Sequence, residues 1–232
     1  MKVAILGIPN FPLGKKIVPD ERLDKLKELL HSPKIIYVSL ELLDDSKLKE
    51  SDGIICLEDK KTDLVLADLE LIEKRLDEAD DKEKQLLGRC QAELEKESLL
   101  NELNFSDEEK AILSNLCFLT LKPVLIVSSE KAENHNELIR NIYELMGCIS
   151  FFTANEKELR AWSIKKGTTA VEAAGCIHSD IGRGFIKAEI LGYEDILSCA
   201  GVNQAKAKGL LHLEDKDYVV KDGALIKFRF NV

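Results

Sequence analysis

The chain has 232 residues, 45% of them hydrophobic and 32% charged, with a net charge of −9, a composition that excludes disordered and fibrous classes. Its apolar runs fall short of the roughly 18 residues that a spanning helix needs, and no basic-then-apolar leader opens it, so a soluble, cytoplasmic protein with no membrane partner is expected. The acid is concentrated early: residues 1–148 hold 21 Lys and Arg against 31 Asp and Glu, a balance of −10, whereas 149–232 hold 12 against 11, a balance of +1, which argues against DNA and leaves any RNA contact to the C-terminal part.

In chain order, residues 2–7 read as a buried strand, and Gly7-Ile8-Pro9-Asn10 then opens like a phosphate-binding loop. A working loop of that kind needs Gly-x-x-x-x-Gly-Lys-Ser/Thr, so that backbone N–H groups cradle phosphates, the Lys reaches them and the hydroxyl binds magnesium. Here Gly14-Lys15-Lys16 falls at the wrong spacing, and Lys16 offers no hydroxyl. Pro19-Asp20 starts a helix over 20–30 with Leu23, Leu26, Leu29 and Leu30 on one face. Ile35–Leu40, Gly53–Leu57 and Val124–Val127 complete a set of four buried strands, which implies a small parallel α/β sheet.

Between the third and fourth strands the spacing of Val65, Leu69, Ile72, Leu76 and Ala79 is that of a coiled-coil seam, resumed by Leu87, Cys90 and Leu94 on a return helix. Residues 60–118 hold 9 basic against 16 acidic residues, a balance of −7, so this helical arm is either a solvated hairpin or a docking surface for a basic partner. Ser106 to Glu109 form a capping box for a further helix, and another helix is expected near 135–147. After that, Phe151–Thr153 and Arg160–Ile164 read as a hairpin, Thr168–Ala174 as a helix and Gly184–Ile190 as a strand. Lys221-Asp222-Gly223 between Tyr218-Val219-Val220 and Ala224–Phe230 reads as a second hairpin. Strands wrapped around one helix suggest a β-grasp module.

The six cysteines, at 56, 90, 117, 148, 176 and 199, are scattered singly without histidines at ligand spacing, so neither a metal site nor a disulfide framework is expected. No nucleophile elbow, zinc-protease motif or supported carboxylate pair is present, and no residue is assigned a catalytic role.

The residues Phe152-Thr153-Ala154, Glu158–Trp162, Lys166-Gly167-Thr168, Ala173-Ala174-Gly175, Ile177–Asp180, Arg183–Ile186, Asp217–Val220 and Phe228–Val232 together resemble the C-terminal TGS-type domain of the YchF family, Obg-related P-loop nucleotidases. Gly7–Asn10, Gly14–Asp24, Ala67–Glu70 with Glu73-Lys74-Arg75, and Phe118–Pro123 resemble the same family in pieces. The resemblance implies a nucleotide site whose loops have been deleted. Asp44-Asp45-Ser46-Lys47 stands for the second switch, with Asp44 keeping the acid that would assist magnesium, and Ser128-Ser129-Glu130-Lys131 stands for the base-reading motif, with Ser129 in place of its amide.

The fold expected is therefore α/β: a degenerate P-loop-like domain at 1–59 plus 119–148, a helical coiled-coil arm at 60–118 and a TGS-like β-grasp domain at 149–232. Gly7, Pro9, Asn10, Asp44 and Ser129 are candidate remnants of a nucleotide site, or simply turn residues. His178, Asp180, Arg183, Trp162 and Phe185 are candidates for a binding surface, the aromatics stacking on a base, or else core and turn residues. The resemblance implies a ribosome or translation setting, with a protein or RNA partner held by the TGS-like domain and the arm. No cofactor is expected; ATP or GTP with magnesium is the alternative, with weak hydrolysis, as is a regulatory role beside an intact family member.

Overall fold

The computed structural model describes residues 1–199 and 201–231, so Val232, the last residue of the C-terminal motif, lies outside the described residues. The first part of the chain forms β1 (Lys2–Leu6), β2 (Gly14–Ile17), α1 (Glu21–Leu30), β3 (Ile35–Ile36), β4 (Ser39–Leu43), β5 (Gly53–Leu57), α2 (Lys61–Leu76), α3 (Asp81–Leu94), α4 (Asp107–Ser114), β6 (Val124–Val127) and α5 (His135–Leu145). The remainder forms β7 (Cys148–Ala154), β8 (Leu159–Lys165), α6 (Ala170–Ile177), α7 (Ser179–Arg183), β9 (Phe185–Leu191), α8 (Tyr193–Ser198), α9 (Val202–Ala207), β10 (His212–Glu214) and β11 (Leu225–Phe230). The result is a mixed α/β protein with two sheets. Among the described residues no helix is long and apolar enough to cross a membrane.

The chain divides into two compact units, one of Met1–Lys16 with Leu40–Met146 and one of Ile17–Ser39 with the chain from Gly147 onward. The stretch 17–39, assigned above to the N-terminal domain, therefore belongs to the second unit. The expected strand Ile35–Leu40 is also two strands: β3 pairs with β8, while β4 pairs with β1. Two adjacent apolar runs look like one in the sequence, but each satisfies its backbone in a different sheet.

In the first unit the strand order is β2-β4-β1-β5-β6. Strand β1 runs parallel to β4 and β5, and β5 runs parallel to β6. Helices α2 and α3 form the hairpin, but its seam is met only in part. Leu64, Val65, Asp68 and Ile72 are buried on α2, whereas Leu69 and Leu76 are half-buried. The stripe merges with Leu6, Ile54, Cys56, Phe118 and Val124 into one core, so it is wider than the narrow seam of two helices packed only on each other. Helix α4 has its capping box: Ser106 Oγ accepts from Glu109 N, and the Glu109 carboxylate accepts from Ser106 N at 2.7 Å.

Asp68 carries a charge into that core at 1% exposure. Its carboxylate accepts from Leu119 N at 2.9 Å, Thr120 N at 2.7 Å and Thr120 Oγ1 at 2.6 Å, which ties α2 to the segment leading into β6. Burial pushes its pKa up, while the three donors favour the charged form.

In the second unit the order is β10-β9-β11-β7-β8-β3. The expected 218–230 hairpin does not form. Strand β11 lies between β9, antiparallel, and β7, parallel, and of the 218–220 stretch Val219 makes an isolated bridge to Thr169. The Asp-Gly turn delivers β11 beside β7: Gly223, at φ +77°, donates to Ser150 O at 2.7 Å, and Asp222 accepts from Ser150 N at 2.9 Å. Ala170, Ala173 and Ala174 of α6 pack against Phe151, Ala188, Ile190, Ile226 and Phe228. Phe152 points to the opposite face, where the Arg22 guanidinium of α1 lies 5.5 Å from its ring and pairs with Asp20 and Asp222 at 2.8 and 2.9 Å.

Replacing Asp68 by Ala leaves two backbone N–H groups and a hydroxyl without their acceptor, and a loss of roughly 3 kcal/mol is expected in urea denaturation. Asp68→Asn recovers only part of it, because one of its two polar atoms is a donor facing donors.

Candidate functional site

Parallel strands place their carboxyl ends on one edge of the sheet, and in open α/β sheets ligands bind there, at the point where the strand order reverses. In the first unit that edge gathers all five residues expected to be remnants of a nucleotide site. Gly7, Pro9 and Asn10 follow β1, Asp44 follows β4 and Ser129 lies beyond β6. Two adjoining hollows open there. One, of about 420 Å³, is lined by Ile8, Pro9, Asn10 and Leu57 on one side and Ser129, Ala132, Glu133 and His135 on the other. The other, of about 330 Å³, is lined by Gly7, Pro9, Asn10, Phe11, Asp44 and Asp45 among others.

Gly7 takes φ +80°, and a Cβ there would sit 2.4 Å from Lys60 Cγ and 3.2 Å from Leu57 Cβ. Asn10 also takes a left-handed turn, at φ 56°. No helix follows this turn; the chain instead runs into β2. Asp44 caps a short 3₁₀ turn, accepting from Ser46 N at 3.0 Å and from the Ser46 hydroxyl, and these bonds hold its carboxyl below the usual carboxylate range. Lys122 closes the other end of that turn by donating to Leu48 O, Lys49 O and Ser51 O at 2.7–2.9 Å. Lys60 sends its ammonium to Asp63 at 3.2 Å. At the end of β5, burial pushes the Cys56 thiol up to about 12, which makes it a poor nucleophile.

Phe11, His135, Leu57 and Glu133 were not anticipated from the sequence. The buried Phe11 ring lies 4.4 Å from the His135 ring, and these residues meet only through the fold. Asn134 gave a usable signal for the His135 end, since it caps α5 by accepting from Glu137 N.

Of the five residues of the second candidate surface, three form a polar cluster and two lie in a row of rings. His178, Asp180 and Arg183 meet at the junction of α6 and α7. Asp180 N donates to His178 Nδ1 at 3.2 Å and Arg183 Nη2 to Asp180 Oδ1 at 2.5 Å, contacts that shape the turn. Trp162 and Phe185 instead end a row of rings crossing four strands. Trp162 lies 6.5 Å from Phe151, Phe151 lies 5.9 Å from Phe228, and Phe228 lies 6.1 Å from Phe185. The Trp162 Nε1 donates to Thr153 Oγ1 at 2.9 Å, so the ring is held by packing and by its polar handle. Among the described residues no cluster of His, Cys, Asp and Glu could hold a metal ion.

A sheet whose strands β4, β1, β5 and β6 run parallel, with two hollows at their carboxyl edge, and a second, mixed sheet define the class. Residues 148–231 match the family model YchF-GTPase_C, described as a protein of unknown function (DUF933). The chain is 30% identical over 330 residues to the ribosome-binding ATPase YchF of Bacillus subtilis (strain 168), covering 97% of this chain and 90% of that one. With the ribosome-binding ATPase YchF of Escherichia coli O157:H7 it shares 28% identity over 333 residues, covering 96% and 92%. The Schizosaccharomyces pombe YchF GTPase has the same fold, with a TM-score of 0.79 at 20% identity over 99% of this chain and 97% of that one. The chain belongs to the YchF family. Its alignment with the B. subtilis protein spans 330 positions, so at least 98 of them (330 less 232) face no residue here.

Three substitutions separate turn and core roles from surface roles. Gly7→Ala is expected to cost about 2 kcal/mol in urea denaturation, from its positive φ and its crowding against Lys60 and Leu57. Trp162→Ala is expected to cost about 3 kcal/mol, whereas Arg183→Ala stays within about 0.5 kcal/mol.

Proposed function

We propose that this chain is a YchF-family protein that has lost nucleotide hydrolysis and works as a ribosome-associated binding protein in the cytoplasm. The observation that carries the reading is the chemistry of the carboxyl edge. Phosphoryl transfer is catalysed almost wholly by positioned positive charge, backbone N–H groups and magnesium. Here β1 leads to β2 without an intervening helix, and the residues lining the two hollows include Asp44, Asp45 and Glu133 but no Lys or Arg. Two like charges about 5 Å apart at an effective dielectric of about 40 repel by about 1.7 kcal/mol, so a triphosphate is disfavoured there. Asp44 serves as a cap, which supports a structural role over magnesium binding.

In this reading the trimmed P-loop-like domain comprises 1–59 and 119–148, with 17–39 counted with the second unit, and residues 60–118 form an acidic helical hairpin. The C-terminal 149–232 is a TGS-like β-grasp domain, supported by helix α6 lying on a sheet in which β11 runs between β9 and β7. The ribosome enters through the names of the relatives, which are ribosome-binding ATPases. The hairpin presents acid to a basic ribosomal protein and the near-neutral C-terminal domain contacts protein or RNA. Gly7, Pro9, Asn10 and Ser129 frame the crevice as a remnant, while His178, Asp180 and Arg183 offer the exposed polar patch of the C-terminal domain.

The test pairs phosphate release with sedimentation. With ATP or GTP and magnesium, with and without purified ribosomes, release is expected to stay at the buffer rate while the protein pellets with ribosomes through a sucrose cushion. Turnover above that rate would defeat the loss of hydrolysis, and failure to pellet would defeat the ribosome assignment.

A further inference from the structure

We infer that the larger hollow at the carboxyl edge of the first sheet still takes a small ligand, an uncharged nucleoside in preference to its phosphorylated forms. The inference rests on the reading above, that this edge descends from a nucleotide site, and goes beyond it by reversing the usual order of affinity. The hollow of about 420 Å³ falls within the roughly 300–1,000 Å³ of small-molecule sites. Its walls are apolar, with Ile8 and Ala132 buried at 8% exposure each and Leu57 and Pro9 beside them. Asn10, Ser129 and His135 add amide, hydroxyl and imidazole groups. Apolar walls with a few hydrogen-bonding groups suit a part-apolar ring carrying ring nitrogens and hydroxyls. The named activities of the relatives, an ATPase and a GTPase, narrow that class to nucleosides.

Charge sets the preference. Glu133 lines this hollow, and Asp44 and Asp45 line its neighbour, which shares Ile8, Pro9 and Asn10 with it. A phosphate chain leaving the first hollow toward the second therefore approaches carboxylates. Lys60, next to Gly7, is engaged with Asp63. Each added phosphate weakens binding where, in a working P-loop, it would strengthen it.

The probes are adenosine and guanosine, with AMP, GMP, ATP and GTP as the charged series, titrated by ligand-observed NMR and calorimetry into the nucleotide-stripped full chain, with and without magnesium. Saturable binding of at least one nucleoside is expected, with a dissociation constant on the order of 0.1 mM, and at least tenfold weaker binding of its triphosphate. Ala132→Trp, which fills the hollow, is expected to abolish nucleoside binding. Asp45→Asn combined with Glu133→Gln is expected to narrow the gap between nucleoside and triphosphate at least threefold, and it keeps the test open should Ala132→Trp fail to fold. Equal or tighter binding of ATP or GTP would overturn the inference, as would no binding of either nucleoside. Hydrolysis of ATP or GTP would instead overturn the reading under the proposed function; absent nucleoside binding without hydrolysis removes only this inference.

Discussion

The parallel ladder β4-β1-β5-β6 fixes the functional geography of the first unit. Its register pairs Val3 with Leu42 and with Gly53, and Ile54 with Val124. Once those pairs form, the exits at Gly7, Asp44, Glu58 and Ser128 must emerge on one edge. The crevice is therefore a consequence of scaffold pairing. Asp68 supports the same geometry from behind by bonding the backbone just before β6. A charge that deep is tolerable only because three donors surround it.

What such an edge can do depends on what the loops add. A cradle needs backbone N–H groups converging from a helix start, and β1 supplies a glycine turn followed by a strand. The turn after β4, where the family resemblance implies a switch, is held at both ends, by the Asp44 cap and by the Lys122 ammonium on three carbonyl oxygens. A segment clamped in this way has little freedom to respond to a γ-phosphate. In the second unit the aromatic row from Trp162 to Phe185 does for the sheet what the apolar ladder does for the first unit, and the turn cluster of His178, Asp180 and Arg183 stays outside it.

Much of this was legible in the residues. Val3–Leu6, Gly53–Leu57 and Val124–Val127 are apolar runs flanked by turn formers, and Asp20 and Ser106 announce helices with side chains that do cap them. The failures share a cause: pairing partners distant in sequence decide between local options of similar energy. Ile35-Ile36 and Leu40–Leu43 differ in nothing a short window can see, yet they join different sheets. The Asp222-Gly223 signal for a hairpin is sound locally, but its turn bonds to Ser150 on β7 instead. Gly7, Pro9 and Asn10 stand out because a glycine turn after a buried strand is a local feature, whereas Asp44 and Ser129 come from the family resemblance; all five lie at the carboxyl edge. Phe11 with His135 was missed because nothing local joins them. Asp68 left a clue that was passed over, an acid on the buried face of α2 between Leu64 and Ile72.

The most direct test of the central claim, that the carboxyl edge no longer holds a triphosphate as a working site does, is hydrogen exchange of the full chain across residues 7–13, 44–51 and 128–134, with and without magnesium ATP or GTP at about 0.1 mM, which fills a micromolar site but lies about tenfold or more below the dissociation constant expected of a triphosphate here. The account predicts exchange in these three segments unchanged by either nucleotide. Slowed exchange in them together, as when a loop closes over phosphates, would contradict it.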